Sequence, residues 1–362
     1  MDNYSSAFRD SNLAALLTER LSKYSGSNVN IMEVCGTHTM SISRYGIRSL
    51  LPESINLISG PGCPVCVTPL YFINSAIELS NEKDVIITTF GDLMKVPGTS
   101  SSLLMEKARG KDIRIVYSPL DSLKIASENK DKRVVFLSVG FETTTPVTAL
   151  TIRKAAEEGL SNFSVLSANK TIPNALKILA LDEDVKVHGY LYPGHVSAII
   201  GTKLYHELAS QYGIPGVVAG FEPIDILHGI LTLVDMINEN KKAVVNEYKR
   251  VVDEEGNKEA IKVTEQVFSP CDSVWRGIGN IPLSGLVIRD EYEAFDAWKV
   301  YNLKPCIAEE TPGCKCGEIL RGKLKPTDCG LYGKKCTPEN PVGACMVSSE
   351  GTCAAYYRYQ GV

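Results

Sequence analysis

The residues most able to do chemistry in this chain are its eleven cysteines, and they are not spread evenly. Cys35, Cys63 and Cys66 lie early; Cys314, Cys316, Cys329, Cys336, Cys345 and Cys353 crowd residues 314–353. Cys271 and Cys306 have no such company and are read as structural. In a reducing cytosol these side chains stay thiols, so metal ligation or redox chemistry is favoured over a disulfide framework. Two sites are implied.

The front site opens at the end of a β-branched run, where Met32-Glu33-Val34 meets Cys35-Gly36-Thr37-His38-Thr39. Ligands of open α/β sheets bind outside the carboxyl ends of strands, opposite helix N-termini. A thiol there is expected to have a lowered pKa, and its thiolate serves as nucleophile or metal ligand. His38 follows at i+3, and Thr37 and Thr39 add hydroxyls. The next run ends in Ser59-Gly60-Pro61-Gly62-Cys63-Pro64-Val65-Cys66, whose Cys-x-x-Cys brings two sulfurs close enough to bridge or to share a metal. One such pair cannot complete a tetrahedral site, so Cys35 and His38 are the expected partners in a labile metal site. Thioredoxin-like dithiol chemistry is the alternative for the pair alone. Two more strand ends, Val139-Gly140-Phe141-Glu142-Thr143-Thr144 and Tyr192-Pro193-Gly194-His195-Val196-Ser197, add Glu142 and His195 to the same cleft.

At the rear, the spacing Cys-x-Cys, then twelve, six, eight and seven residues between successive cysteines, fits neither a zinc ribbon nor a common ferredoxin run. No histidine follows His228, which removes Cys2His2 zinc. Paired zinc sites, or one iron–sulfur cluster with a dithiol beside it, would use these thiols. Gly317 to Leu324 nearly spells a phosphate-binding loop, but Leu324 stands where a magnesium-holding hydroxyl is required and no strand precedes it.

Elements to position these groups are legible upstream. Short apolar runs at Val29–Val34, Ile55–Ser59, Val85–Phe90, Ile113–Tyr117, Val134–Val139, Ser164–Ala168, Val187–Leu191 and Val217–Ala219 read as buried parallel strands. Helical stretches separate them, and Pro146, Pro173 and Pro223 mark helix starts. This is α/β architecture with mainly parallel sheets. The polar stretch Ser127–Arg133 is a plausible seam, giving one α/β domain over 1–126, a second over 127–262 and a small Cys-rich iron–sulfur region over 263–362. That last part has few apolar residues and calls for a metal staple.

Composition narrows the partners. The 362 residues carry 38 basic and 42 acidic side chains, a formal charge of −4 without a basic block, so nucleic acid is not expected. The first residues lack a leader pattern and no apolar stretch is long enough to span a bilayer, so the expectation is a cytoplasmic protein without a membrane segment.

Taken together, Cys35-Gly-Thr-His-Thr39, Gly60-Pro-Gly-Cys-Pro-Val-Cys66, Gly140-Phe-Glu-Thr-Thr144, Pro193-Gly-His-Val-Ser197 and Asn340-Pro-Val-Gly-Ala-Cys-Met-Val-Ser-Ser-Glu-Gly-Thr-Cys353 resemble the HypD family of [NiFe]-hydrogenase maturation proteins. The resemblance runs nearly end to end. It implies a redox-active scaffold on which the hydrogenase iron, Fe(II), receives its cyanide and carbon monoxide ligands as Fe(CN)2CO. The implied partners are a small HypC-type chaperone and the HypE–HypF pair that supplies cyanide. By likeness to ferredoxin:thioredoxin reductase, Cys314, Cys329, Cys336 and Cys353 would hold a [4Fe–4S] cluster, with Cys316 and Cys345 the exchanging dithiol. Cys35 would then bind the iron, His38 orient or protonate, Thr37 and Thr39 donate to cyanide, and Cys63 with Cys66 pass electrons. The rival class is an iron–sulfur-dependent protein disulfide reductase, and the plainest alternative a zinc-stapled binding protein.

Overall fold

The computed structural model describes residues 8–305 and 310–360. Its strands, in chain order, are β1 (Val29–Glu33), β2 (Ile55–Ser59), β3 (Val85–Thr89), β4 (Ile113–Ile115), β5 (Arg133–Ser138), β6 (Phe163–Ser167), β7 (Gly189–Pro193), β8 (Gly216–Ala219), β9 (Val244–Asn246), β10 (Phe268–Trp275) and β11 (Gly279–Ile288). Two parallel sheets result, one ordered β2-β1-β7-β8-β9 and the other β4-β3-β5-β6. A third, two-stranded sheet is the antiparallel pair β10–β11.

The α/β class is as expected from the apolar runs, but the sheets interleave along the chain. After β2 the chain leaves the first sheet, lays down the whole of the second, and returns with β7. The expected division at 126/127 therefore falls within the second sheet, where β5 pairs with β3. Ser127–Arg133 is the surface turn leading into β5, and Lys132 there pairs with Asp112. The charged stretch 238–262 holds β9, which extends the first sheet, and the start of the helix Lys258–Val267.

Each parallel sheet has a point where the strand order reverses, and that is where crevices open. In the first sheet it lies between β1 and β7; in the second, between β3 and β5. Register Val29↔Ile55 through Glu33↔Ser59 levels the ends of β1 and β2. Helices then start where prolines and caps permit: Thr145–Glu157, Ile172–Ala180 and Pro223–Asn238 each carry proline in the first turn.

Burial follows the layers. One cluster including Ile31, Leu191, Val217 and Leu227 packs the outer face of the first sheet, and another including Val134, Phe136, Val165 and Ile152 packs the second. The largest cluster joins Met32, Val135, Leu137 and Tyr192 from both sheets to Cys316, Cys345 and Met346. Each fully buried apolar side chain contributes roughly 1.5–3 kcal/mol. The rear segment is thus part of the core that the two sheets share. The β10–β11 pair is clipped on by Lys170, whose amine donates to Ser273 Oγ (2.7 Å) and the Val274 carbonyl (2.8 Å). Burial pushes that amine down to about 7.

Candidate functional site

Cys35 is the N-cap of the helix Gly36–Arg44, directly after β1, and Cys63 is the N-cap of the short helix Pro64–Val67, after β2. Neighbouring strands therefore deliver both thiols to one edge. The loops touch: Gly36 N–H donates to the Gly62 carbonyl (3.0 Å), and a Cβ on Gly62 would overlap the Cys35 backbone. This close approach is why the turn reads Gly-Pro-Gly. Cys63 and Cys66 form a disulfide with 5.3 Å between their Cα atoms.

The thiol of Cys35 is 7% exposed, and burial pushes its pKa up to about 12, with the Glu350 carboxylate adding to the rise. The backbone of His38 and Thr37, at the helix start, acts in the opposite direction but loses. The expected lowering by the helix N-terminus is thus overturned by desolvation, which penalises the thiolate more than the first-turn amides favour it.

His38 is fully buried, and its Nε2–H donates to the Gly220 carbonyl (2.8 Å), leaving Nδ1 as an acceptor without a partner among the described residues. Burial holds this imidazole down to about 4, so it is neutral. Phe221 lies between it and His195, with ring centroids 4.8 and 4.0 Å away. The Thr37 hydroxyl donates to Glu350 Oε1 (2.7 Å) and that of Thr39 to the Cys35 carbonyl (3.3 Å). The two hydroxyls expected to donate to cyanide, and the His38 ring beside them, are therefore committed within the protein. With Cys63 and Cys66 joined and His38 bonded to Gly220, the four-ligand front metal site is not formed. Cys35 stands as a single soft ligand beside first-turn amides.

Opposite it, Glu142 at the end of β5 is buried; Oε1 accepts from the Ile172 N–H (2.9 Å) and Oε2 has no partner among the described residues. Burial without a cation pushes its carboxyl up to about 7. The buried phenol of Tyr205, raised mainly by desolvation, lies near enough to sense both Glu142 and Cys35. Groups from both sheets thus face one cleft. Two residues absent from the sequence reading also belong to it: Glu350, and Asp92 after β3, which accepts from the Ser348 hydroxyl (3.0 Å). Ser348–Glu350 stitches the second sheet to the Cys35 turn. In sequence, Ser-Ser-Glu-Gly reads as a solvated loop, and only its place in the Cys345–Cys353 interval could have marked it.

At the rear, Cys314, Cys316, Cys329, Cys336 and Cys353 line one small hollow with Ile319, Leu331 and Met346. Cys345 lies outside it, fully buried. Hydrogen bonds from Cys316 and Cys353 hold the Cys345 thiol well below its usual range, while Cys353, in donating, is held above it. Among the described residues no three His, Cys, Asp or Glu side chains close around a single point, as a mononuclear ion requires. A four-iron cube instead takes one thiolate at each corner, and the five soft donors around this hollow are enough to supply them. Cys306 lies outside the described residues; Cys271 is on β10, among the residues lining a separate hollow with Lys170.

The two sites meet. Cys66 Sγ lies 4.0 Å from the carbonyl of Ala344, the residue before Cys345. A front disulfide, a rear thiol group and the Cys35 turn thus stand in succession, an arrangement suited to passing electron pairs between sulfurs.

Comparison with known proteins agrees in extent with these motifs. A family model named HypD, described as "Hydrogenase formation hypA family", matches residues 12–360. The chain is 46% identical to the hydrogenase maturation factor HypD of Rhodobacter capsulatus, covering 99% of this chain and 98% of that one. It is also 46% identical to HypD of Cupriavidus necator (98% and 97% covered) and to HypD of Escherichia coli K12 (92% and 89%).

Proposed function

The chain belongs to the HypD family of hydrogenase maturation factors, and from that premise we propose that it is a redox-active scaffold for assembling the Fe(CN)2CO unit. The iron is cargo, held through the Cys35 sulfur and shared with a HypC-type chaperone, while HypE with HypF supplies cyanide. Cyanide and carbon monoxide favour low-spin Fe(II), for which a thiolate is a fitting soft anchor. A metal displaces the thiol proton, so a Cys35 held up to about 12 stays protonated and unreactive until iron arrives. The first-turn amides of Thr37 and His38, which favour the Cys35 thiolate, would help hold the anchoring sulfur in its ionised form.

The observation that carries this reading is the approach of Cys66 to the Cys345 turn. It supports a relay in which the Cys316 and Cys345 thiols are oxidised to a disulfide while the Cys63–Cys66 disulfide is reduced to two thiols. Cys314, Cys329, Cys336 and Cys353 would hold a [4Fe–4S] cluster, which would pass two electrons, one at a time, from an external one-electron reductant to the rear disulfide, with two protons taken up, to regenerate the thiols. Cys345 accepts hydrogen bonds from both Cys316 and Cys353, so either thiol stands near enough to pair with it.

Purifying the chain anaerobically with its HypC-type partner tests the anchor. Cys35→Ala abolishes the infrared bands of iron-bound cyanide and carbon monoxide; bands that survive refute it. The formed Cys63–Cys66 disulfide favours one second reading, a protein disulfide reductase fed by the cluster. That reading predicts turnover without cyanide or extra iron, whereas colourless, zinc-loaded protein would reject both.

A further inference from the structure

The turn between β10 and β11 has no part in the scheme above, yet it touches both cysteine groups. Arg276 N–H donates to the carbonyl of Val67 (2.9 Å), the residue after Cys66. Gly277, at φ +75°, lies with its Cα against Gly317, the residue after Cys316, and a Cβ there would overlap it.

The Arg276 side chain is only 3% exposed. Its Nε and Nη2 both donate to one oxygen of Glu310, at 2.9 and 2.6 Å, and Nη1 is buried without a partner among the described residues. A buried cationic N–H left unbonded is costly, so such a group calls for an explanation. Its one carboxylate, Glu310, is itself 42% exposed, which weakens its compensation. On the inner side is the rear sulfur group: Gly277 packs on Gly317, the residue after Cys316, so the turn that carries the buried guanidinium stands beside those thiols.

We propose that Arg276 is an electrostatic positioning residue for electron transfer, a fixed cation that stabilises the negative charge delivered to the rear sulfur centre while its backbone ties that centre to the Cys66 helix. This rests on the cluster reading given above. A cation at short range in a dry site favours the reduced, more negative form, and so raises the potential.

The test uses the full chain, reconstituted anaerobically with iron and sulfide, and reads the cluster's midpoint potential by a redox titration followed by electron paramagnetic resonance. Arg276→Gln lowers the potential by about 60 mV, a tenfold change in the one-electron constant. Glu310→Gln, which frees the cation from its counter-charge, shifts it upward by about threefold in that constant. Opposite signs support the proposal; equal potentials in all three proteins, or shifts of the same sign, overturn it and leave the cluster reading intact. If Arg276→Gln does not fold, Glu310→Gln decides alone: a rise supports the assignment, and no change refutes it. A wild-type chain that takes up no iron and sulfide overturns the cluster reading, and this proposal with it.

Discussion

The two cysteine regions are built on opposite terms. Cys35 and Cys63 are cap residues of helices that follow adjacent strands in fixed register, so the sheet places them before any metal or electron is involved. The six rear cysteines sit instead on turns, the short 3-10 segment Ala344–Met346 and the helices Cys316–Leu320 and Thr352–Tyr359, with no strand among the described residues after β11. Thiol–thiol hydrogen bonds and the shared core hold them. The front is organised by the backbone; the rear, on the cluster reading proposed above, would be organised by what it binds.

Removing the staple probes that difference most strongly. The double change Cys329→Ala, Cys336→Ala takes away two of the sulfurs lining the rear cavity. Amide exchange over 314–353 should accelerate on the order of a hundredfold, about 3 kcal/mol of local stability, while β1, β2 and β7 keep their protection. Equal loosening of front and rear would break the distinction.

The front responds to pH instead. Glu142 has its carboxyl raised from 4.5 to about 7 by burial. The native state therefore keeps a proton that the unfolded chain releases, and this group's share of stability falls as pH rises from about 4.5 through 7, by about 3 kcal/mol, while His38, held neutral down to about 4, opposes it in the wild type. Denaturant titrations should show Glu142→Gln gaining in stability relative to the wild type as pH rises through this window. Glu222, in the matching Gly-Phe-Glu turn after β8, is the control: it pairs with Arg9 at the surface, its carboxyl is lowered, and Glu222→Gln leaves the slope in this window unchanged. A Glu142→Gln profile parallel to that of the wild type would show that burial does not raise this carboxyl.

Those twin turns mark how far the sequence could be read. Gly140-Phe-Glu142 and Gly220-Phe-Glu222 are the same tripeptide at equivalent strand ends, yet Phe141 stacks on Trp275 and Phe221 on His195. Only one of the two glutamates is buried without a cation. Local spacing located the strand ends, and so Cys35, Cys63, Glu142 and His195, because periodicity and turn chemistry are short-range. Which strands share a sheet is not local: β2 and β3 read alike but belong to different sheets. The β10–β11 hairpin was missed because its outer residues alternate polar with small, and Glu350 because nothing next to it signals burial. The Cys35 thiol was read from a helix dipole, when desolvation decides.

A single methyl group sharpens the contrast. Gly62→Ala drives a Cβ into the Cys35 backbone, where neither chain can yield, and should cost about 2 kcal/mol in urea unfolding. In Gly343→Ala the new Cβ meets the sulfurs of Cys314 and Cys316, the ends of side chains that can turn aside. Global stability then changes by less than about 1 kcal/mol, while iron and sulfide uptake, followed by visible absorbance, is lost. The reverse pattern would mean that the backbone, not the bound centre, organises the rear.

The smallest structural effect belongs to the residue with the largest proposed role. Cys35 makes no side-chain cap bond, and deleting one buried sulfur from a site whose helix is already set by β1 and by Gly36 N–H on Gly62 costs about 1 kcal/mol. Thermal unfolding of Cys35→Ala should therefore shift by only a few degrees. The fold does not need this thiol, and its buried placement, next to the Glu350 carboxylate that disfavours its ionised form, does not serve stability. A large loss of stability on its removal would recast Cys35 as a core residue and shift the search for the iron anchor toward the Cys63–Cys66 pair in its reduced form.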